Sequence, residues 1–161
     1  MAVIRGYFPT GFHSLPAPYV QAFLHLPRGE SSGLIDFMID TGADNTTLSL
    51  TDVERINLNY RRVRRSSLLP VQGIAGEQLF YSEEAILVFR DEDARTYVFP
   101  INIHIPKRGK PSQANQQRRL PSVLGRDVVN QCGVLIDFHE GRVEVTPPEG
   151  ARLPVAMRRL I

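Results

Sequence analysis

The sequence holds no tryptophan, one cysteine and no unbroken apolar stretch of bilayer length, and each shortage excludes something. With Cys132 alone there can be no intrachain disulfide, so a reducing compartment is the simpler expectation. Without an apolar run of about 18 residues, no membrane-spanning helix is expected. The first residues also lack the basic-then-apolar pattern of a secretory leader, so the expected location is cytoplasmic, with no membrane partner. An excess of one charge is missing too. Against 19 Lys and Arg stand 17 Asp and Glu, a net charge of +2, which gives no general argument for a polyanionic partner.

What is present fits one β-rich domain. A chain of 161 residues, 42% hydrophobic and 22% charged, can bury a real core, and 12 Gly with 12 Pro favour many turns over long helices. Residues 1–18 contain Phe8-Pro9-Thr10-Gly11 and Pro16-Ala17-Pro18 and read as an extended N-terminal arm. The domain is expected over 19–145, with 146–161 as a proline-spaced C-terminal tail. Tyr19 to Leu26 and Leu34 to Ile39 read as a first hairpin, Ala85 to Phe89 and Tyr97 to Ile105 as a second, and Val134 to Phe138 with Arg142 to Val145 as a third. The alternation from Ile101 to Ile105 turns Asn102 and His104 toward solvent. Between 106 and 121 the composition shifts to Pro, Gln and Arg, which reads as a long loop without structure of its own.

The chain is organised around Phe37-Met38-Ile39-Asp40-Thr41-Gly42-Ala43-Asp44. An apolar strand ends there at a carboxylate, followed by a hydroxyl and a glycine. A carboxylate at the inner end of a buried strand is costly unless something uses it. Thr46 to Leu50 then resumes as a short strand, and Ser49 or Thr51 can cap a brief helical turn through Arg55. Leu68 to Tyr81 contains Gly73-Ile74-Ala75-Gly76 between two apolar arms, a hairpin with a glycine-bracketed tip. It is either a plain surface hairpin or a flap over a cleft. Val123-Leu124-Gly125-Arg126-Asp127 brings two apolar residues into a close-packing glycine, with Asp127 placed to cap a short helix from Val128 to Gln131.

Other candidates read more plainly. His25 has no His, Cys or acid at ligand spacing and reads as a strand residue, and His139 sits in a turn. Arg61-Arg62-Val63-Arg64-Arg65 is densely basic but lacks interleaved aromatics, so it reads as a solvated face and nucleic acid is not an expected partner.

No one of these stretches decides the matter, since Asp-Thr-Gly turns up by chance in roughly a few per cent of chains this long. Their order does more. An apolar strand into Asp40-Thr41-Gly42-Ala43-Asp44, then the Gly73 to Gly76 hairpin, then Leu124-Gly125-Arg126-Asp127 resembles the retropepsin-like aspartic proteases over about residues 19 to 145. The resemblance implies an all-β, closed acid-protease barrel with a flap hairpin and one short helix near the Gly-Arg-Asp motif. Asp-Thr-Gly occurs once here, and a single-motif member of that family works as a homodimer with its active site on the two-fold axis. Peptide hydrolysis without a metal or a nucleophile needs one ionised carboxylate to activate water and one protonated carboxyl to polarise the scissile carbonyl. Asp40 from each subunit would supply both.

The resemblance implies the remaining roles. Thr41 would hydrogen-bond across the dimer beneath the catalytic pair, supported by Gly42. Gly42, Ala43, Asp44 and Asn45 would meet an extended polypeptide substrate, as would Gly73, Ile74, Ala75 and Gly76 from the flap. Asp44 and Arg126 would form a partly buried ion pair. No metal or cofactor is implied. The alternative is a binding or dimerisation module that keeps the fold and recognises extended peptides by strand pairing with little cleavage.

Overall fold

The computed structural model describes residues 2–11, 14–73 and 76–154, and it is mostly β. In chain order the strands are β1 (Ile4–Arg5), β2 (Tyr19–Leu26), β3 (Ser31–Ile39), β4 (Leu68–Gly73), β5 (Gly76–Arg90), β6 (Thr96–Pro106), β7 (Val123–Leu124), β8 (Gly133–Asp137) and β9 (Arg142–Thr146). The α-helices among the described residues are α1 (Leu50–Arg55), α2 (Pro111–Arg118) and α3 (Arg126–Val129).

The main sheet runs β4-β5-β2-β3-β7, with β6 on the other edge of β5. The long strand β5 holds it together, pairing first with β4 and then with β2 along one edge, and with β6 from Phe80 to Arg90 along the other. Its turn into β6 is built on Asp91, whose carboxylate accepts from the Asp93 and Arg95 amides at 3.0 and 2.8 Å. Period-two alternation sorts the side chains. Along β2, Val20, Ala22, Leu24 and Leu26 are buried while Gln21 and His25 face out, so His25 is the plain strand residue its sequence suggests. Along β3, Ile35, Phe37 and Ile39 enter the core, and the opposite face carries Asp36 and Met38. Each fully buried side chain of this size, Phe37 and Leu24 among them, contributes about 1.5–3 kcal/mol.

The expected closed barrel is not found. No ladder joins β6 to β7; the two are linked only by single-residue bridges at Thr47, parallel to His104 and antiparallel to Val123. The expected strand from Thr46 to Leu50 stops after one bridged residue because Ser49, accepting from the Asp52 amide at 3.0 Å, starts α1 at Leu50. A second sheet, β1-β9-β8, packs beside the first. The N-terminal arm is therefore woven into the chain's own fold: Ile4 and Arg5 pair with Val145 and Glu144, and Tyr7 exchanges backbone hydrogen bonds with Tyr19.

A helix that the sequence reading did not expect stands beside the helical turn through Arg55 and the short helix at the Gly-Arg-Asp motif. The segment from 106 to 121 carries α2, which opens with Pro111 in its first turn, where the missing N–H costs nothing, and continues through helix-compatible Gln and Ala. Tertiary contacts hold it: Ala114 is buried, Arg118 pairs with Glu54 of α1 at 2.8 Å, and the Arg118 carbonyl accepts from Thr51 Oγ1 at 3.0 Å. The first part of the tail lies against the chain itself, with the Leu153 amide donating to the Thr96 carbonyl at 2.8 Å. Among the described residues no helix is long and apolar enough to cross a membrane.

Candidate active site

Asp40 follows β3 directly and continues its alternation, so it shares the face of Met38 while Ile39 turns into the core. The loop after it needs a tight turn. Gly42 provides it, donating its N–H to Asp40 Oδ1 at 2.8 Å, and a Cβ at Gly42 would stand 3.1 Å from that oxygen.

The position of the loop is set from outside, by the chain around β7 and α3. The Asp40 amide donates to the Leu124 carbonyl at 3.1 Å, and the Arg126 and Asp127 amides donate to the Ala43 and Asp44 carbonyls at 2.8 and 3.2 Å. Thr47 and Val123 exchange backbone bonds at 3.0 and 2.9 Å. At the centre lies Thr46, fully buried, whose N–H and Oγ1 donate to the Asp127 carboxylate at 3.0 and 2.7 Å. Thr46 Oγ1 accepts from the Gly125 amide at 3.1 Å in turn. Gly125 fits here for space, not for backbone conformation: its φ of −89° suits any residue, but a Cβ would lie 2.5 Å from the Asn45 carbonyl carbon and 2.8 Å from the Thr46 nitrogen.

One sequence expectation changes at this point. Asp127 does not cap a helix over 128–131; the helix starts at Arg126 after Gly125, and the Asp127 carboxylate is spent mainly on Thr46. Asp44 and Arg126 form an ion pair, with 77% and 47% of the side chains exposed in the single chain. Asp44 emerges from the loop surface, whereas Asp127, next along the chain from Arg126, takes the inward position.

A cavity of about 270 Å³ lies against Asp40. Its walls are Met38 and Asp40, Thr47 to Leu50, Val123, Gln78 and Phe80 from the β4–β5 hairpin, Pro106, and Gln117, Leu120 and Pro121 from α2 and the chain after it. The lining is predominantly apolar, a setting in which one carboxylate stands out. Phe80 stacks on His104 with ring centroids 5.9 Å apart. His104 is buried rather than turned to solvent, because its backbone is locked to Thr46 and Leu48 at 2.9 Å each and Phe80 covers its ring. Desolvation lowers its pKa below the ordinary histidine value, outweighing the opposite pull of Asp127.

Of the candidate catalytic and substrate-binding residues that the structure describes, Asp40 alone lines this cavity. Thr41 and Gly42 are exposed on the loop, Ala43 and Asn45 are half-buried, and Gly73 pairs with Gly76 at the hairpin tip. Ile74 and Ala75 lie outside the described residues. Sequence reasoning missed the α2 wall, whose composition resembles a loop, and Thr46, whose role depends on a carboxylate far along the chain. Met38 was legible in principle, since it stands two residues before Asp40 on a strand.

No family model matches the chain, and no curated protein matches it. Among solved structures, the chain is similar to the crystal structure of a retropepsin-like aspartic protease from Rickettsia conorii, at 16% identity and a TM-score of 0.49, over 94% of this chain and 93% of that one.

Proposed function

We propose that the chain is an aspartic endopeptidase that acts as a homodimer, with a water activated between two Asp40 carboxylates. The observation that carries this reading is the setting of Asp40: a carboxylate at a strand exit, oriented by the Gly42 amide at 2.8 Å, at the edge of an apolar cavity walled by the β4–β5 hairpin. One chain supplies one such group, and a symmetric partner is the economical source of the second. Thr41 is exposed in the single chain and so is free to bond across an axis. In this reading the β4–β5 hairpin, where Gly73 pairs with Gly76, serves as the flap over an extended peptide.

In this mechanism the two carboxyls share one proton, because like charges held that close cannot both stay ionised. The ionised member takes a proton from water as the oxygen attacks the scissile carbonyl, and the protonated member polarises that carbonyl. The proton then passes to the leaving amine as the C–N bond breaks. The apolar lining lowers the local dielectric and strengthens these interactions.

The test is digestion of a mixed peptide library by the wild-type chain beside Asp40→Asn, over a range of pH and enzyme concentration. Cleavage by the wild type alone is expected, with a bell-shaped pH profile and a rate that rises more than linearly with enzyme concentration. Equal turnover by Asp40→Asn would remove the mechanism.

A further inference from the structure

A second and larger cavity, about 600 Å³, adjoins the one beside Asp40 and shares three of its walls, Gln78, Leu120 and Gln117. Its chemistry is different. The chain between β6 and α2 contributes Lys107, Arg108 and Lys110, α2 contributes Gln113 and Gln116, and among the described residues the one acidic residue in the wall is Glu77. Arg108 is partly engaged, lying 3.5 Å from Glu54 and over the Tyr60 ring. Among the described residues no carboxylate comes within ion-pair distance of Lys107 or Lys110. The loop that bears them is held by the protein: Gln117 donates to the Lys107 carbonyl at 3.0 Å and accepts from the Gly109 amide at 3.3 Å, and Gln113 accepts from the Lys110 amide at 3.3 Å. Two lysines are thus carried on a braced loop in the wall of a cavity that adjoins the one beside Asp40.

The geometry points to a cationic subsite that selects acidic side chains in the peptide substrate, Glu or Asp, a short way along the chain from the residue seated beside Asp40. A peptide in extended form advances about 3.3 Å per residue and turns alternate side chains to the same wall, so adjoining cavities read separated positions together. The apolar cavity then accepts an uncharged side chain and the Lys107–Lys110 cavity a carboxylate. This selection rests on the endopeptidase reading for its substrate, but it is a binding property and can be measured without cleavage.

The experiment uses the full-length Asp40→Asn chain and fluorescence anisotropy with labelled ten-residue peptides, in which Glu, Gln or Lys is placed at each position in turn. At low salt the best-placed Glu is expected to bind roughly tenfold tighter than Gln at the same position, the effect of two partly exposed charge contacts. Raising the salt should shrink the difference. In a chain that also carries Lys107→Glu and Lys110→Glu, with its fold checked by circular dichroism, the preference should reverse toward Lys. Equal affinity for Glu and Gln at every position, no binding at all, or a Glu preference that survives the charge reversal would overturn the subsite. So would tighter binding of single-stranded RNA than of the Glu peptide. A Glu preference in a chain whose wild type cleaves nothing would keep the subsite and remove the protease, and cleavage without a Glu preference would do the opposite.

Discussion

Gly125→Ala tests how the candidate site is held. The added methyl would meet the Asn45 carbonyl carbon at 2.5 Å, the Asn45 oxygen at 2.7 Å and the Thr46 nitrogen at 2.8 Å. All three are backbone atoms, so no side chain can swing aside; the Asp40–Asn45 loop must move away by about 1 Å to restore ordinary contact. Overpacking of this kind costs about 1–3 kcal/mol. The movement also stretches the bonds from Thr46 to the Asp127 carboxylate, and hydrogen bonds to charged groups are worth about 1.5–3 kcal/mol each. The terms overlap, so a loss of about 3 kcal/mol is expected, a large share of an ordinary domain's stability. Urea denaturation at one fixed protein concentration reads it as a lower midpoint at unchanged slope. Gly150→Ala is the control, with nothing within 4 Å of its added Cβ, and should stay within about 0.5 kcal/mol of wild type. If Gly125→Ala also stays within 0.5 kcal/mol, the account of this contact is wrong.

Three other outcomes follow from the packing and the charges. Burial depresses the pKa of His104, so the unfolded chain binds a proton first as pH falls below 6.5; stability is therefore full above that value and declines below it until the folded value is reached, and His104→Gln should flatten this part of a pH–stability curve. Burial pushes the Cys132 thiol up to about 11, so the folded chain should react with iodoacetamide at pH 8 far more slowly than the urea-unfolded chain, and equal rates would contradict the packing. Asp44→Ala removes an exposed ion pair and should cost under about 1 kcal/mol; a larger loss that grows with protein concentration would show the pair to be covered in an assembly.

Local signals account for most of what the sequence made legible. Alternation in Tyr19 to Leu26 and the end of β3 just before Asp40 follow from side-chain period and from the turn-forming Asp-Thr-Gly, and both are seen. The β8–β9 hairpin was equally readable, as two alternating arms around His139-Glu140-Gly141. The misses share a different cause. Asn102 and His104 sit on one face of β6 by alternation, yet Asn102 is exposed and His104 buried, because Phe80 covers only the second. The polar composition of 111–118 fits both loop and helix, and the Glu54–Arg118 pair and the buried Ala114 favour the helix, which no local pattern reveals. The barrel expectation depended on a resemblance, and Thr47 alone bridges the two strands that would have to meet.

The Gly-Arg-Asp stretch shows why charge type is a poor guide to which carboxylate matters. Asp44 and Asp127 are both acids in the motifs the sequence emphasised, and the ion pair with Arg126 drew attention to Asp44. The pair lies at the surface, where solvent competes with it. Asp127 instead accepts two bonds from a threonine with no exposed surface, in a place where losing the acceptor would leave the Thr46 N–H and O–H donors unsatisfied. Its loss would be felt at Asp40, because the same chain segment that positions Thr46 donates the Arg126 amide to the Ala43 carbonyl and accepts the Asp40 amide at the Leu124 carbonyl. Glycine leaves room for the two backbones, aspartate holds them at that spacing, and arginine remains outside, where a change would alter the surface before it altered the site.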